Sequence, residues 1–122
     1  MGLTTTGKAL IAALVGDIST PVAATYVAYG TGTTAFAVAQ TALVTESQRS
    51  SSATVARKTT TTANDTLSIS NAFSISTTET IGEAGVFNDS SAGTMAARSL
   101  VSPTKGVASG DTYTCEYKVI FA

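Results

Sequence analysis

Thr80-Ile81-Gly82-Glu83-Ala84-Gly85-Val86-Phe87-Asn88 is the stretch whose reading decides the fold. Ile81, Val86 and Phe87 are strand formers, and two glycines stand between them. Glycine inside a strand pattern marks a bulge or the close approach of another backbone. The stretch is therefore read as a central strand kinked at its glycines. Asn88-Asp89-Ser90-Ser91-Ala92-Gly93 follows as a turn, and Thr94 to Val101 returns as the next strand. The remaining segments read as strands added to this hairpin.

Working outward, Thr66 to Thr77 alternates cleanly: Leu67, Ile69, Phe73 and Ile75 share one face, and Ser68, Ser70, Ser74 and Ser76 share the other. Asn71 interrupts the apolar face and marks a candidate bend. Ser52 to Thr62 precedes it as a strand with one wet face, joined through Ala63-Asn64-Asp65 as a long hairpin. Thr25 to Tyr29 is another strand, ended by Gly30-Thr31-Gly32-Thr33-Thr34. Ser102 to Gly106 reads as a loop. Thr112 to Phe121 closes the chain with Tyr113, Cys115, Tyr117, Val119 and Phe121 on one face, and is expected to be paired inside a sheet. Ala35 to Gln48 is open between a helical turn and an extended connection; Glu46 and Arg49 are spaced to pair if it is helical.

Thr4 to Val15 reads as a short helix capped by Thr4, Thr5 or Thr6, with Leu10, Ile11, Leu14 and Val15 on one face and Gly16 as its stop. The expectation is a mainly β chain: an antiparallel sandwich or partly closed barrel of about six strands behind an N-terminal helix. Residues 1–122 form a single domain in this reading, with 1–20 as helix or arm and 21–122 as the β-sandwich.

Composition narrows the function. Charged residues are 12% of the 122, the net charge is −1, and mean hydropathy is +0.25. Ser and Thr make up close to a third of the chain. No apolar run approaches the roughly 20 residues of a membrane span; Lys8 before Ala9 to Val15 mimics a leader weakly, but the apolar piece is short and helix-patterned, and the chain is expected to remain in a cytoplasm. Clustered cations are limited to Arg57-Lys58, which argues against a nucleic-acid partner. Neither His nor Trp is present, and Cys115 is the one cysteine. Ser-His-Asp, Cys-His and Cys/His zinc constellations are thereby excluded within this chain, and Cys115 reads as a small buried hydrophobe. Gly30-Thr31-Gly32 lacks the third glycine and the following helix of a dinucleotide site, so a plain glycine turn is preferred to a phosphate site. Glu79 and Glu83 are the close carboxylate pair, on one face by strand geometry, but no aromatic stands nearby to bind a sugar. No catalytic residue, metal ligand or cofactor is assigned. Glu83 and Arg98 can pair across the central hairpin, as a register device or at a subunit boundary, against the alternative of two solvated charges.

The order of motifs adds a resemblance. Thr4-x-x-Gly7-Lys8-Ala9-Leu10, Gly30-Thr31-Gly32-Thr33-Thr34, Thr41-Ala42-Leu43, Glu46-x-x-Arg49, Ile81 to Phe87, Gly93-Thr94-Met95-x-Ala97-Arg98 and Gly110-Asp111-Thr112-Tyr113-Thr114 follow one another along nearly the whole chain. In this order they resemble small structural proteins of tailed bacteriophages. Phe36 stands where such chains often carry Pro, and Val86 where they often carry Leu. The resemblance implies a virion component without catalytic activity. The first expectation is a decoration or cement protein, a trimer bound to the major capsid protein lattice; the second is a tail, neck or fibre-base domain. Leu10, Ile11 and Leu14 on the helix, with Glu83 and Arg98, are the candidate subunit-interface residues. A carbohydrate-binding sandwich, using Tyr26, Tyr29, Tyr113 or Tyr117 as exposed platforms, is a third reading.

Overall fold

A computed structural model describes residues 2–121. In chain order the elements are β1 (Gly2–Leu3), α1 (Thr5–Gly16), β2 (Tyr26–Gly30), β3 (Glu46–Arg49), β4 (Thr54–Lys58), β5 (Thr66–Ser74), β6 (Glu79–Phe87), β7 (Met95–Val107) and β8 (Thr112–Ile120). The fold is mainly β, with two antiparallel sheets that do not close into a barrel. One sheet runs β1-β7-β6-β2-β3 and the other β4-β5-β8.

Alternation explains how the sheets stack. Val27, Tyr29, Ile81, Ala84 and Val86 from the larger sheet meet Ile69, Phe73, Cys115, Tyr117 and Val119 from the smaller one in a single core. Burying a side chain of the Val or Ile kind contributes ~1.5–3 kcal/mol, so this face carries most of the fold's stability. Tyr29 sits at its centre, edge-on to Phe73 at 4.9 Å and to Tyr113 at 5.3 Å. A second, smaller cluster of Ala28, Leu43, Phe87 and Met95 lies on the other face of the larger sheet. The long connection 31–45 covers it, with Leu43 as its anchor.

The central hairpin forms as the glycines require. The β6–β7 register shifts between Ile81 and Glu83, where Gly82 alone stands opposite residues 101–104 of β7. A Cβ on Gly82 would lie 2.5 Å from the Gly32 carbonyl, so both a bulge and a close backbone approach meet at this position.

Several expectations are corrected. Of the two alternatives open for Ala35 to Gln48, the extended one holds, and only the strand is unforeseen: Glu46–Arg49 is the edge strand β3, too polar to show alternation. Arg49 still meets Glu46, through Nε to Oε2 at 2.9 Å and Nη2 to Oε1 at 2.7 Å, while its guanidinium stacks on Phe87 at 3.6 Å. Ser102 to Gly106 does not end a strand. It lies within β7, where the chain from Leu100 to Lys105 bulges against Ile81 to Glu83. Pro103, with a cis Ser102–Pro103 bond, sits in that bulge, where no ladder donor is needed. Asn71 causes no bend, because β5 and β8 stay in register from Thr66↔Ile120 to Ser74↔Thr112. β8 pairs with β5 alone and forms a sheet edge rather than an interior strand.

The β4–β5 hairpin is longer at its turn than Ala63-Asn64-Asp65. The Asp65 carboxylate accepts N–H bonds from Thr60, Thr61 and Thr62 at 2.8–2.9 Å and a hydroxyl bond from Thr66 at 2.8 Å. The threonine run is thus a loop wrapped on one carboxylate. At the other end of the chain, Thr4 caps α1: its Oγ1 accepts the Gly7 N–H at 2.9 Å and donates to the Met95 carbonyl at 2.5 Å. Asp17, in the left-handed region at φ 49°, is the C-cap in place of Gly16, which remains helical.

Candidate functional site

The residues that carry the sequence motifs meet in one buried staple. Arg98 Nε donates to Glu83 Oε1 at 2.9 Å, and neither side chain has exposed surface. Glu83 also accepts N–H bonds from Gly32 at 3.0 Å, Val44 at 2.9 Å and Thr45 at 2.7 Å. Arg98 donates further to the Thr34 carbonyl at 2.9 Å and to Gln40 Oε1 at 3.3 Å. The pair is diagonal in the ladder, since Glu83 faces Leu100 and Arg98 faces Gly85. Every bond other than the pair itself runs to the connection 31–45. The staple therefore fixes that connection over the outer face of the larger sheet.

The glycines follow from this geometry. A Cβ on Gly30 would run into the Thr45 carbonyl, and one on Gly32 into the Glu83 carboxylate. The Gly-x-Gly turn delivers an N–H to an internal carboxylate, which leaves that donor spoken for rather than free for a phosphate. Burial alone would raise the Glu83 pKa, but the Thr45 and Val44 N–H groups and Arg98 outweigh it and hold the carboxyl below the usual glutamate range.

Glu83 and Arg98 are thus brought together, as the register reading expects. The solvated-charge alternative is overturned by their burial, and no part of either side chain is left on the surface for a second subunit. Glu79 and Glu83 do not share a face, because the alternation of β6 inverts between Ile81 and Ala84, which both enter the same core. Glu79 instead accepts a bond from Ser47 Oγ at 3.0 Å at the rim. The four tyrosines do not form exposed platforms. Tyr29 and Tyr117 are buried, Tyr26 and Tyr113 half-buried, and burial pushes the Tyr113 and Tyr117 phenols up to about 12.

Leu10, Ile11 and Leu14 lie together, lining a cleft of about 160 Å3 between α1 and the ends of both sheets. Leu67, Val86 and Val119 form its floor, and Val55 and Phe121 its far rim. Leu10 and Ile11 are half-buried and Leu14 is more exposed. The helix comes close to β7 at Gly7, where a Cβ would overlap the Ala96 backbone. Val15, next to Leu14 in the helix, does not line the cleft and is 86% exposed. Val15, Ile18 and Val22 flank the cleft-lining segments and are exposed; their signal in the sequence is that large apolar residues fall in or beside segments with no interior left to fill.

A second groove, of about 320 Å3, opens between β7 and the free edge of β8. Ala84, Ser99 and Val101 form one side and Tyr113, Cys115 and Tyr117 the other. Ser99 Oγ and Tyr117 Oη are 2.9 Å apart across it. Among the described residues no three His, Cys, Asp or Glu side chains come together as a metal site, and no helix is long and apolar enough to cross a membrane. No protein-family model, curated protein or solved structure matches the chain.

Proposed function

We propose that this chain is a non-catalytic structural subunit of a tailed-bacteriophage particle, acting as a head decoration protein on the major capsid protein lattice. The observation that supports this reading is the fate of the motif residues. Glu83, Arg98, Gly30, Gly32, Thr34 and Gly82, the chemically distinctive positions of the phage-like pattern, are spent inside one buried staple. A pattern of that kind specifies a frame, with its chemistry turned inward, rather than a reaction centre. The frame is well tied: among the described residues, no buried side-chain nitrogen or oxygen lacks a hydrogen-bond partner. A surface with few charges completes the picture, since charge is depleted where subunits meet.

The mechanism is mechanical. Each copy buries apolar surface at a junction between capsid subunits, at roughly 25 cal/mol per Å2 of apolar area before the cost of association. Many weak contacts over a lattice then resist internal DNA pressure. Quantitative mass spectrometry of purified virions against the major capsid protein tests it. Hundreds of copies per particle are expected. A few dozen or fewer would move the protein to the tail or neck, and absence from particles would end the virion reading.

A further inference from the structure

The apolar face around α1 is the part of the surface that the frame does not explain. Leu14, Val55 and Phe121 line its cleft, and Val15 and Ile18 follow at the end of the helix. Val22 leads into the lining segment Ala23–Thr25. These six residues range from 38% exposed at Leu14 to 86% at Val15. Their exposed area is on the order of 600 Å2, the top of the range for the largest apolar patch on a monomer.

We infer that a second copy of this chain covers this face, with α1 packed antiparallel against α1 across a two-fold axis. Area is the first reason. Two such faces bury on the order of 1,200 Å2, the lower bound for a specific interface. Shape is the second. An isologous contact needs one patch that holds both knob and hole. Here the projecting Val15 and the cleft beside Leu14 lie on the same patch. Charge is the third. Lys8 lies two turns before Val15 on the same stripe of the helix, and Asp17 closes the helix beyond it. Antiparallel helices bring Lys8 toward Asp17 of the other copy and oppose the two helix dipoles; parallel helices would bring like charges together. A three-fold contact, which the phage resemblance implies, needs no such self-complementary patch. The inference deepens the structural-subunit reading, yet it concerns the free protein and can fail separately.

The test is light scattering coupled to size exclusion, at up to roughly 100 µM to populate a dimer of this modest interface. Twice the chain mass of 12.3 kDa is expected. Val15→Arg should raise the dimer Kd at least tenfold with an unchanged circular-dichroism spectrum, since Val15 makes little contact within its own chain. Leu100→Arg, in the β7–β8 groove away from the face, should leave the dimer intact. Lys8→Glu should weaken it several-fold, and added salt should reduce that difference. A monomer, a trimer, or a dimer indifferent to Val15→Arg would overturn the inference. A monomer present in hundreds of copies per virion would overturn it while leaving the decoration reading in place; a dimer absent from virions would do the reverse.

Discussion

The Glu83 carboxylate and the Arg98 guanidinium lie 2.9 Å apart, diagonal across the β6–β7 ladder, each without exposed surface. Breaking a buried pair of this kind strands the remaining charge, at about 3–5 kcal/mol. The two partners are not equivalent. Arg98→Met leaves a carboxylate that still receives three backbone N–H bonds. Glu83→Gln leaves a buried guanidinium and turns an amide donor toward backbone donors. Glu83→Gln should therefore be the more damaging, with a Tm loss on the order of 10–20 °C for a chain of this size. Denaturant melts of both variants check this. A loss below about 1 kcal/mol for either would mean that the pair is solvated and worth no more than a surface contact.

The acid limb of the stability curve should be set by carboxylates held in their ionised form. The Thr62 and Thr60 N–H groups, then Thr61 and the Thr66 hydroxyl, hold the Asp65 carboxyl far below the usual aspartate range despite its burial. Glu83 is lowered too, and Glu116 is lowered by Lys58 and Ser68. A depressed folded-state pKa contributes stability that is fully present above the unfolded value, ~4 for these groups, and is lost as pH falls through the folded one. The chain should hold constant stability from pH 7 to about 5 and lose it progressively below about 4. Asp65→Asn should lower the melting temperature at pH 7 and flatten the slope below pH 4. An unchanged acid slope in Asp65→Asn would show that the threonine loop does not depend on the charge.

How far these features could be read from sequence depends on what hides a pattern. β5 was legible because Leu67, Ile69, Phe73 and Ile75 alternate with serines and the observed pairing has no bulge. β3 was not, since Glu46, Ser47, Gln48 and Arg49 carry no alternation; its burial comes from Arg49 stacking on Phe87. β1 is two residues long and leaves no pattern. The extent of β7 was hidden by Pro103 and Gly106, which read as a loop; a bulge absorbs Pro103, and Gly106 pairs with Thr80. The pairing of Glu83 with Arg98 follows from hairpin spacing. Their burial does not, because the cover comes from residues 31–45, which have no period. Leu10, Ile11 and Leu14 share one face as helical spacing requires, but Val15, read onto the same face, lies one step further round and outside the cleft.

Helix α1 should respond to glycine substitution in opposite directions at its two ends. Gly7 is buried against the Ala96 backbone, so Gly7→Ala should cost about 1–3 kcal/mol even though alanine gains up to ~1 kcal/mol in helix propensity. At Gly16 the added Cβ meets the flexible Ile18 side chain at 3.2 Å, and the backbone is not left-handed. Gly16→Ala should stabilise by a few tenths of a kcal/mol. Thr4→Ala removes both the cap on Gly7 and the bond to Met95, at about 1–2 kcal/mol. Thermal melts of the three variants decide the matter: a neutral Gly7→Ala would mean that α1 is not seated on β7 in solution.

The Cys115 thiol gives a probe of the inter-sheet edge. Burial pushes it up to about 11, only partly offset by a bond with Tyr113, although it lies beside the β7–β8 groove. The thiolate is the reactive species, so a buried thiol with a raised pKa should be nearly inert at pH 8. Reaction with an aromatic disulfide reagent is expected to be slow in the native protein and to reach one thiol per chain at once in denaturant. The native rate should follow the opening of the groove. Glu83→Gln, which loosens the opposite face of the larger sheet, should change it less than Ser99→Val, which removes the hydroxyl contact to Tyr117 across that groove. Rapid native labelling, at a rate close to that of a free cysteine peptide, would mean that β8 is not held against the core and that the two sheets part readily along this edge.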